Sequence, residues 1–181
     1  MLYFVTGNKE KIFHARLKLD PEGITFTPKD LPLKEIQSES IKEIAIDKAE
    51  QAYKLLQKPL IVKDDGWFIE SLNGFPGPFM KYINSWLTVK DIQHLMKDKK
   101  NRTILFHEVI IYIDNTQTKQ FSNKISGELL DEPRGNNLPF SELSTFRKDR
   151  KSMAECINEG IDPFDEHKIW NDFADWYKTI S

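Results

Sequence analysis

Two adjacent acids, Asp64 and Asp65, follow the apolar run Leu60-Ile61-Val62 and precede Gly66-Trp67. A switch from apolar to charged residues is expected where a buried strand ends and delivers carboxylates to a pocket. Next comes Leu72-Asn73-Gly74-Phe75-Pro76-Gly77-Pro78-Phe79-Met80-Lys81, a stiff turn with a lysine behind it. Paired acids, a cation and a rigid turn point to metal and phosphate chemistry. A hard divalent cation takes oxygen ligands, and lysine neutralises phosphate charge. The same acids also fit an Asp-Asp-Gly turn joining strands at 59–62 and 67–70.

Three more constellations carry chemistry. Thr6-Gly7-Asn8-Lys9-Glu10-Lys11 sits where a short strand turns into a helix, and the N–H groups of a helix N-terminus suit an anion. It is not a Walker A loop, since the second glycine and the Lys-Ser/Thr pair are missing. Lys48 falls inside the apolar stripe Ile41, Ile44, Ala45, Ala49, Ala52, Leu55 of a helix. A lysine there must snorkel to water or meet an anion, a phosphate among them. Glu35 lies in the polar loop Leu31-Pro32-Leu33-Lys34-Glu35-Ile36-Gln37 and gains a role only if the fold brings it to Asp64.

The elements that must position these residues read as an α/β chain. A strand at 2–5, a turn, a helix from Lys9 and a strand at 24–27 open it, with Ile12, Phe13, Leu17 and Leu19 as the helix's expected buried side. Ser40 is the expected cap of a second helix over 40–56, with Glu43 in the capping-box position. A helix is expected over 86–97, and a β-hairpin from 103–113 and 119–130 around Asn115-Thr116. Irregular or strand-like chain at 138–148, a helical turn at 153–159 and a last helix over 164–180 complete the reading. That last helix carries Ile169, Trp170, Phe173 and Tyr177 on one face. No repeat or linker interrupts the 181 residues, which read as a single domain.

Composition narrows the function classes. With 39% hydrophobic and 30% charged residues and a net charge of −2, the chain has no global basic field for a nucleic-acid backbone. One cysteine, Cys156, excludes an intramolecular disulfide and a cysteine-based zinc site. No apolar run reaches membrane-spanning length, and Met-Leu-Tyr-Phe-Val is too short and uncharged for a signal peptide. The expectation is a soluble cytoplasmic protein that binds neither nucleic acid nor membrane.

The order Phe-Val-Thr-Gly-Asn-Lys-x-Lys, Leu-Pro-x-x-Glu-Ile-Gln, Lys48, Val-x-Asp-x-Gly, Leu-Asn-Gly-x-Pro-Gly-Pro-Phe-x-Lys, Pro133-Arg134-Gly135 and Met153-Ala154-Glu155 resembles the inosine triphosphate pyrophosphatase family. That resemblance implies hydrolysis of a nucleoside triphosphate to the monophosphate and pyrophosphate, with Mg2+ as cofactor. It implies an elongated mixed β-sheet flanked by helices, two lobes with a central cleft, and a homodimer. By position, Thr6, Asn8, Lys11 and Lys48 resemble the phosphate-binding residues, and Glu35 and Asp64 the magnesium ligands, with Asp64 catalytic. Lys63, Phe79, Lys81 and Phe140 fall along the implied substrate cleft.

The chain also departs from the pattern. Lys63 stands where the family usually carries an acid, and Asp65 is the candidate to restore that charge as a second catalytic acid. Because neighbours on a strand face opposite ways, that role is expected to need a turn at Asp65. His14 replaces an expected helix glutamate. Asn136-Asn137-Leu138-Pro139-Phe140 replaces the base-cradling segment, and Asp165-Glu166-His167-Lys168 the Ser-His-Arg motif, with His167 read as solvated. The family's purine selectivity is therefore not expected to carry over. The competing reading is a catalytically weak relative that binds a nucleotide or a protein.

Overall fold

The structure is a computed structural model and describes residues 1–180. In chain order the elements are β1 (Leu2–Val5), α1 (Lys9–Leu19), β2 (Phe26–Lys29), α2 (Ile41–Leu56), β3 (Leu60–Ile69), β4 (Pro76–Gly77), α3 (Met80–Trp86), α4 (Val89–Leu95), β5 (Thr103–Ile113), β6 (Thr118–Leu129), α5 (Pro139–Leu143), β7 (Ser144–Thr145), α6 (Met153–Glu159) and α7 (Ile169–Tyr177). The strands form a mixed sheet in the order β2-β1-β3-β5-β6-β7, with β4 added to β3. β1 runs parallel to both β2 and β3, while β4 and β7 are antiparallel to their partners. The α/β class expected from sequence is the one observed.

Contacts divide the chain into two compact units. The first comprises Met1–Asp65, Glu108–Asn123 and the chain from His167 on. Its core gathers Leu2, Phe4, Ala15, Leu19, Ile61, Ile110, Trp170 and Phe173. Phe4 meets Trp170 edge-on at 5.7 Å, a favoured aromatic geometry. The expected inner face of α1 is corrected here. Its inward line is Ile12, Ala15 and Leu19, while Phe13 and Leu17 are exposed. Spacings of three and four, not residue size, set the buried stripe, and small Ala15 lets the helix lie close to the sheet.

The helix α2 starts where Ser40 was expected to cap it: the Ser40 hydroxyl accepts from the Glu43 N–H at 3.2 Å. The reciprocal half of the box is redirected. Glu43 Oε2 accepts from the Ser38 hydroxyl at 2.7 Å, and Ser38 Oγ accepts from the Ser40 N–H at 3.0 Å. Ile41, Ile44, Ala45, Ala49 and Ala52 then bury one continuous face.

The second unit comprises Gly66–His107 and Lys124–Glu166. Its core centres on Trp67, whose ring meets Phe106, Phe140 and Phe146 edge-on with centroids 5.7–6.2 Å apart. This corrects the expected place of Phe140: its ring is fully buried in that core and lines no cleft. The segment expected to be irregular or strand-like is strand at β7 but opens with the short helix α5, because Pro139 at its first turn has a φ suited to a helix start. The helix expected over 86–97 is the shorter α4, opened by a capping box between Thr88 and Asp91, and the sequence reading missed α3 before it. A cis peptide joins Phe75 to Pro76, and Phe79 and Lys81 are exposed nearby in sequence.

On β6, Gly127 lies directly against β7 and the residue after it. A Cβ there would collide with the Thr145 carbonyl oxygen and the Phe146 ring. Overpacking of this kind costs about 1–3 kcal/mol. Gly127→Ala is therefore expected to lower the thermal midpoint in calorimetry; an unchanged midpoint contradicts the close approach.

A candidate phosphate and cation site

The first unit brings most of the sequence candidates together along one stretch of β3. This strand does not end at Val62, nor does Asp64-Asp65-Gly66 turn; β3 runs unbroken from Leu60 to Ile69. β1 pairs with it only through Tyr3↔Leu60 and Phe4↔Ile61. Past Ile61 its backbone needs another donor, and Lys11 of α1 supplies one: its Nζ donates to the Lys63 carbonyl at 3.1 Å. From there the same ammonium reaches Asp65 Oδ2 at 3.1 Å and Asp64 Oδ1 at 3.5 Å. Neighbouring acids thus meet at one cation beside the strand, without the turn that alternation demanded.

Lys11 is in place because of how α1 begins. Asn8 Oδ1 accepts from the N–H groups of Glu10 and Lys11, at 2.8 and 3.2 Å, and Thr6 Oγ1 accepts from the Asn8 N–H at 3.1 Å. Asn8 and Thr6 shape the helix start in this structure, next to the lysine they were expected to assist with phosphate.

Lys48 resolves its place in the apolar stripe by meeting acids. Its Nζ lies 2.7 Å from Asp64 Oδ2 and 2.7 Å from Glu35 Oε2. Glu35 reaches it because Gln51, one turn further along α2, grips the loop beside it. Gln51 Oε1 accepts from the Lys34 N–H at 3.0 Å and its Nε2 donates to the Lys34 carbonyl at 2.7 Å. Sequence reasoning missed Gln51, although its position three after Lys48 puts both on one face.

Lys63 points to the neighbouring strand β5. Its Nζ lies 3.0 Å from Glu108 Oε2 and 3.1 Å from Asp65 Oδ2. Glu108 is fully buried and its other oxygen lies 3.0 Å from His167 Nε2. The expected solvated His167 is corrected: it is 6% exposed, and its Nε2 is hydrogen-bonded at 3.1 Å to Glu108 Oε2, the oxygen Lys63 also holds, because a buried carboxylate needs polar partners. Its ring also stands 6.4 Å from that of His14. The missed signal was Glu108 itself, an acid inside the apolar run of β5. Phe79 and Lys81 belong to the second unit.

The charges stabilise one another's ionised forms. Burial opposes the charge on Asp65, but Lys11 and Lys63 outweigh it and hold the carboxyl well below the usual range. Glu108 is likewise lowered, with Lys63 and a hydrogen bond from His167 overcoming its burial. Lys11 and Lys63 are held above the ordinary lysine value despite burial, Lys11 by Asp65 and Asp64, Lys63 by Asp65 and Glu108. Four acids, Glu35, Asp64, Asp65 and Glu108, face three lysines, with His167 beside Glu108.

Lysines and acids interleaved at a helix start and a strand are the residue types that phosphate and hard-cation chemistry uses. The chain belongs to the Ham1 family, whose model matches residues 2–159. It is 35% identical over 186 residues to the dITP/XTP pyrophosphatase of Methanopyrus kandleri, covering 97% of this chain and 95% of that one. To the dITP/XTP pyrophosphatase of Saccharolobus solfataricus it is 34% identical over 126 residues, covering 69% and 66%. Among solved structures, a Staphylococcus aureus Ham1 protein superposes with a TM-score of 0.78 at 21% identity, each chain fully covered. A HAM1 protein from Coxiella burnetii also gives 0.78, at 23% identity over 99% of this chain and 100% of that one.

The electrostatics carry a pH dependence. Asp65 and Glu108 are lowered in the folded chain, so on acidification the unfolded chain takes up their protons first. The stability they contribute is complete above ordinary carboxylate values of about 4. It is lost as pH falls from there through the lower folded values. Acid titration followed by circular dichroism is expected to show this loss, with a shallower slope in Asp65→Asn. An equal slope in the variant contradicts the assignment.

Proposed function

We propose that the chain hydrolyses a nucleoside triphosphate to the monophosphate and pyrophosphate, as one catalytic domain over residues 1–181 acting with Mg2+. The observation that supports this most is the pair Glu35 and Asp64, whose oxygens share one cation, the Lys48 ammonium, at 2.7 Å each. Two carboxylate oxygens no further apart than twice that distance, on a loop and a strand, form a donor set suited to a hard divalent ion. Glu35 and Asp64 would hold it, and when bound it supplies charge neutralisation and polarisation at the phosphoryl group.

Lys48 then exchanges its acids for phosphate oxygens, and Lys11 does the same from the start of α1. A triphosphate carries about four negative charges, so these ammonium groups are needed as well as the ion. A water oxygen adds to the α-phosphorus, the bond to the α–β bridging oxygen breaks, and pyrophosphate leaves with that electron pair. Asp64 orients the water and receives its proton. Asp65, whose carboxyl Lys11 and Lys63 hold well below the usual range, positions Lys11 in this reading and is a poor base.

The relatives are named for dITP and XTP, which supports a purine triphosphate with an altered base as substrate class. Base preference differs from the family in this proposal, since Asp165-Glu166-His167-Lys168 occupies the neighbourhood of the Ser-His-Arg motif and His167 is turned to Glu108. A homodimer fits the exposed Tyr82 and Trp86 of α3, a pair of rings 5.6 Å apart. A cytoplasmic setting fits the absence, among the described residues, of a helix long and apolar enough to cross a membrane.

The test is pyrophosphate release with magnesium from dITP, XTP, ITP and the four ordinary triphosphates. Turnover is expected, and Asp64→Asn is expected to reduce kcat by about a hundredfold or more, the scale of losing a positioned acid–base group. Turnover that survives Asp64→Asn overturns that assignment. Nucleotide binding without turnover in the natural chain favours the weakly active, binding-only relative.

A further inference from the structure

Lys63 presents the sharpest departure in the site, a lysine where an acid is expected. Its surroundings give it a definite place. It is 8% exposed and held on two sides, by Asp65 of its own strand and Glu108 of β5. We propose that Lys63 is the standby counter-charge of Asp65, held there by Glu108 and His167 as positioning residues, and that it frees Lys11 to bind phosphate. The inference rests on the phosphate role given to Lys11 above.

The argument follows from who holds each acid. Lys11 donates to the Lys63 carbonyl and faces Asp64 and Asp65 at once. It cannot turn to a phosphate without loosening at least one acid. Asp64, held on its other oxygen by Lys48 at 2.7 Å in this structure, would have the divalent ion as its counter-charge when both lysines turn to phosphate. Asp65 has Lys63 at 3.1 Å, on the same Oδ2 that Lys11 holds. With Lys63 removed, the departure of Lys11 would strand Asp65 as an uncompensated, largely enclosed charge facing a polyanion, which is costly. Lys63 therefore favours phosphate binding without touching phosphate.

Glu108 explains how a lysine can stay there. A buried ammonium between a carboxylate and an apolar sheet would otherwise lose much of its solvation. Glu108 answers it across the β3–β5 pairing at 3.0 Å, and His167 answers Glu108. This chain thus carries a lysine on β3 and an acid facing it on the neighbouring strand. Asp65 is the beneficiary.

The proposal is tested with inorganic pyrophosphate as ligand, by calorimetry with magnesium, alongside nucleotide turnover. Lys63→Met leaves Glu108 without its lysine and is expected to lower the thermal midpoint. The paired variant Lys63→Met/Glu108→Gln removes both charges and is expected to recover most of that midpoint. It should still bind pyrophosphate about tenfold or more weakly than the natural chain, a typical consequence of losing one close charge interaction. KM for nucleotide should rise by a similar factor, with a smaller change in kcat. If the paired variant folds and binds as the natural chain does, Lys63 is only a structural charge and the inference fails. It also fails if the natural chain with magnesium binds no pyrophosphate. Weakened pyrophosphate binding in the variant, with no nucleotide turnover in the natural chain, upholds the inference and sinks the pyrophosphatase reading instead.

Discussion

Every charge near the middle of β3 is held by a charge of the opposite sign, and the site depends on that continuity. The run is Glu35, Lys48, Asp64, Lys11, Asp65, Lys63, Glu108, His167, with neighbouring charged groups 2.7–3.5 Å apart. A single buried ion costs several kcal/mol after relaxation, and a broken pair costs about 3–5 kcal/mol. An alternating row spreads that cost, because each inner member has a partner on either side. The row in turn fixes architecture. The start of α1 must bring Lys11 to the strand that β1 has ceased to pair, α2 must turn Lys48 and Gln51 to one side, and β5 must lie beside β3 at Glu108.

Much of this was legible in the residues. The α/β order, the cap at Ser40, the hairpin strands, and Lys11, Lys48, Glu35 and Asp64 as an associated set all followed from pattern or resemblance. What escaped has a common cause. Sequence spacing reports which residues share a face of one element, but not which residues meet across elements. Asp64 and Asp65 should diverge by alternation, yet Lys11 reaches both from another element. Glu108 and His167 are 59 positions apart, so nothing local announced their contact. The better clue was an anomaly of type: an acid in the middle of an apolar strand is expensive, and demands a partner somewhere.

Phe140 and α1 failed for a different reason. In α1 the large apolar residues mark the expected inner side, and Phe140 is placed along the cleft by resemblance alone. In α1 the stripe is set by small Ala15, and large Phe13 and Leu17 face outward. Phe140 instead fills space against Trp67 in the second unit's core. Size measures how much area a residue could bury; the period of the helix and the closeness of its neighbour decide whether it does.

The departure at Lys63 also bears on how a family site tolerates change. Had the lysine replaced an acid alone, the site would have gained charge in a place with little water. Glu108 opposes that gain within the same sheet, and its other partner, His167, lies beyond the segment that the family model matches. Compensation therefore draws on residues from two other parts of the chain, β5 and the segment before α7. The result is a site in which Lys11 and Lys48 each rest on acids that keep, or exchange for a metal, another positive partner. Such lysines are pre-positioned and exchangeable, two properties that a fixed one-to-one ion pair cannot combine. Binding a polyanion then requires a change of partners instead of the exposure of bare carboxylates, and the energetic difference between those two events is what the alternating row supplies.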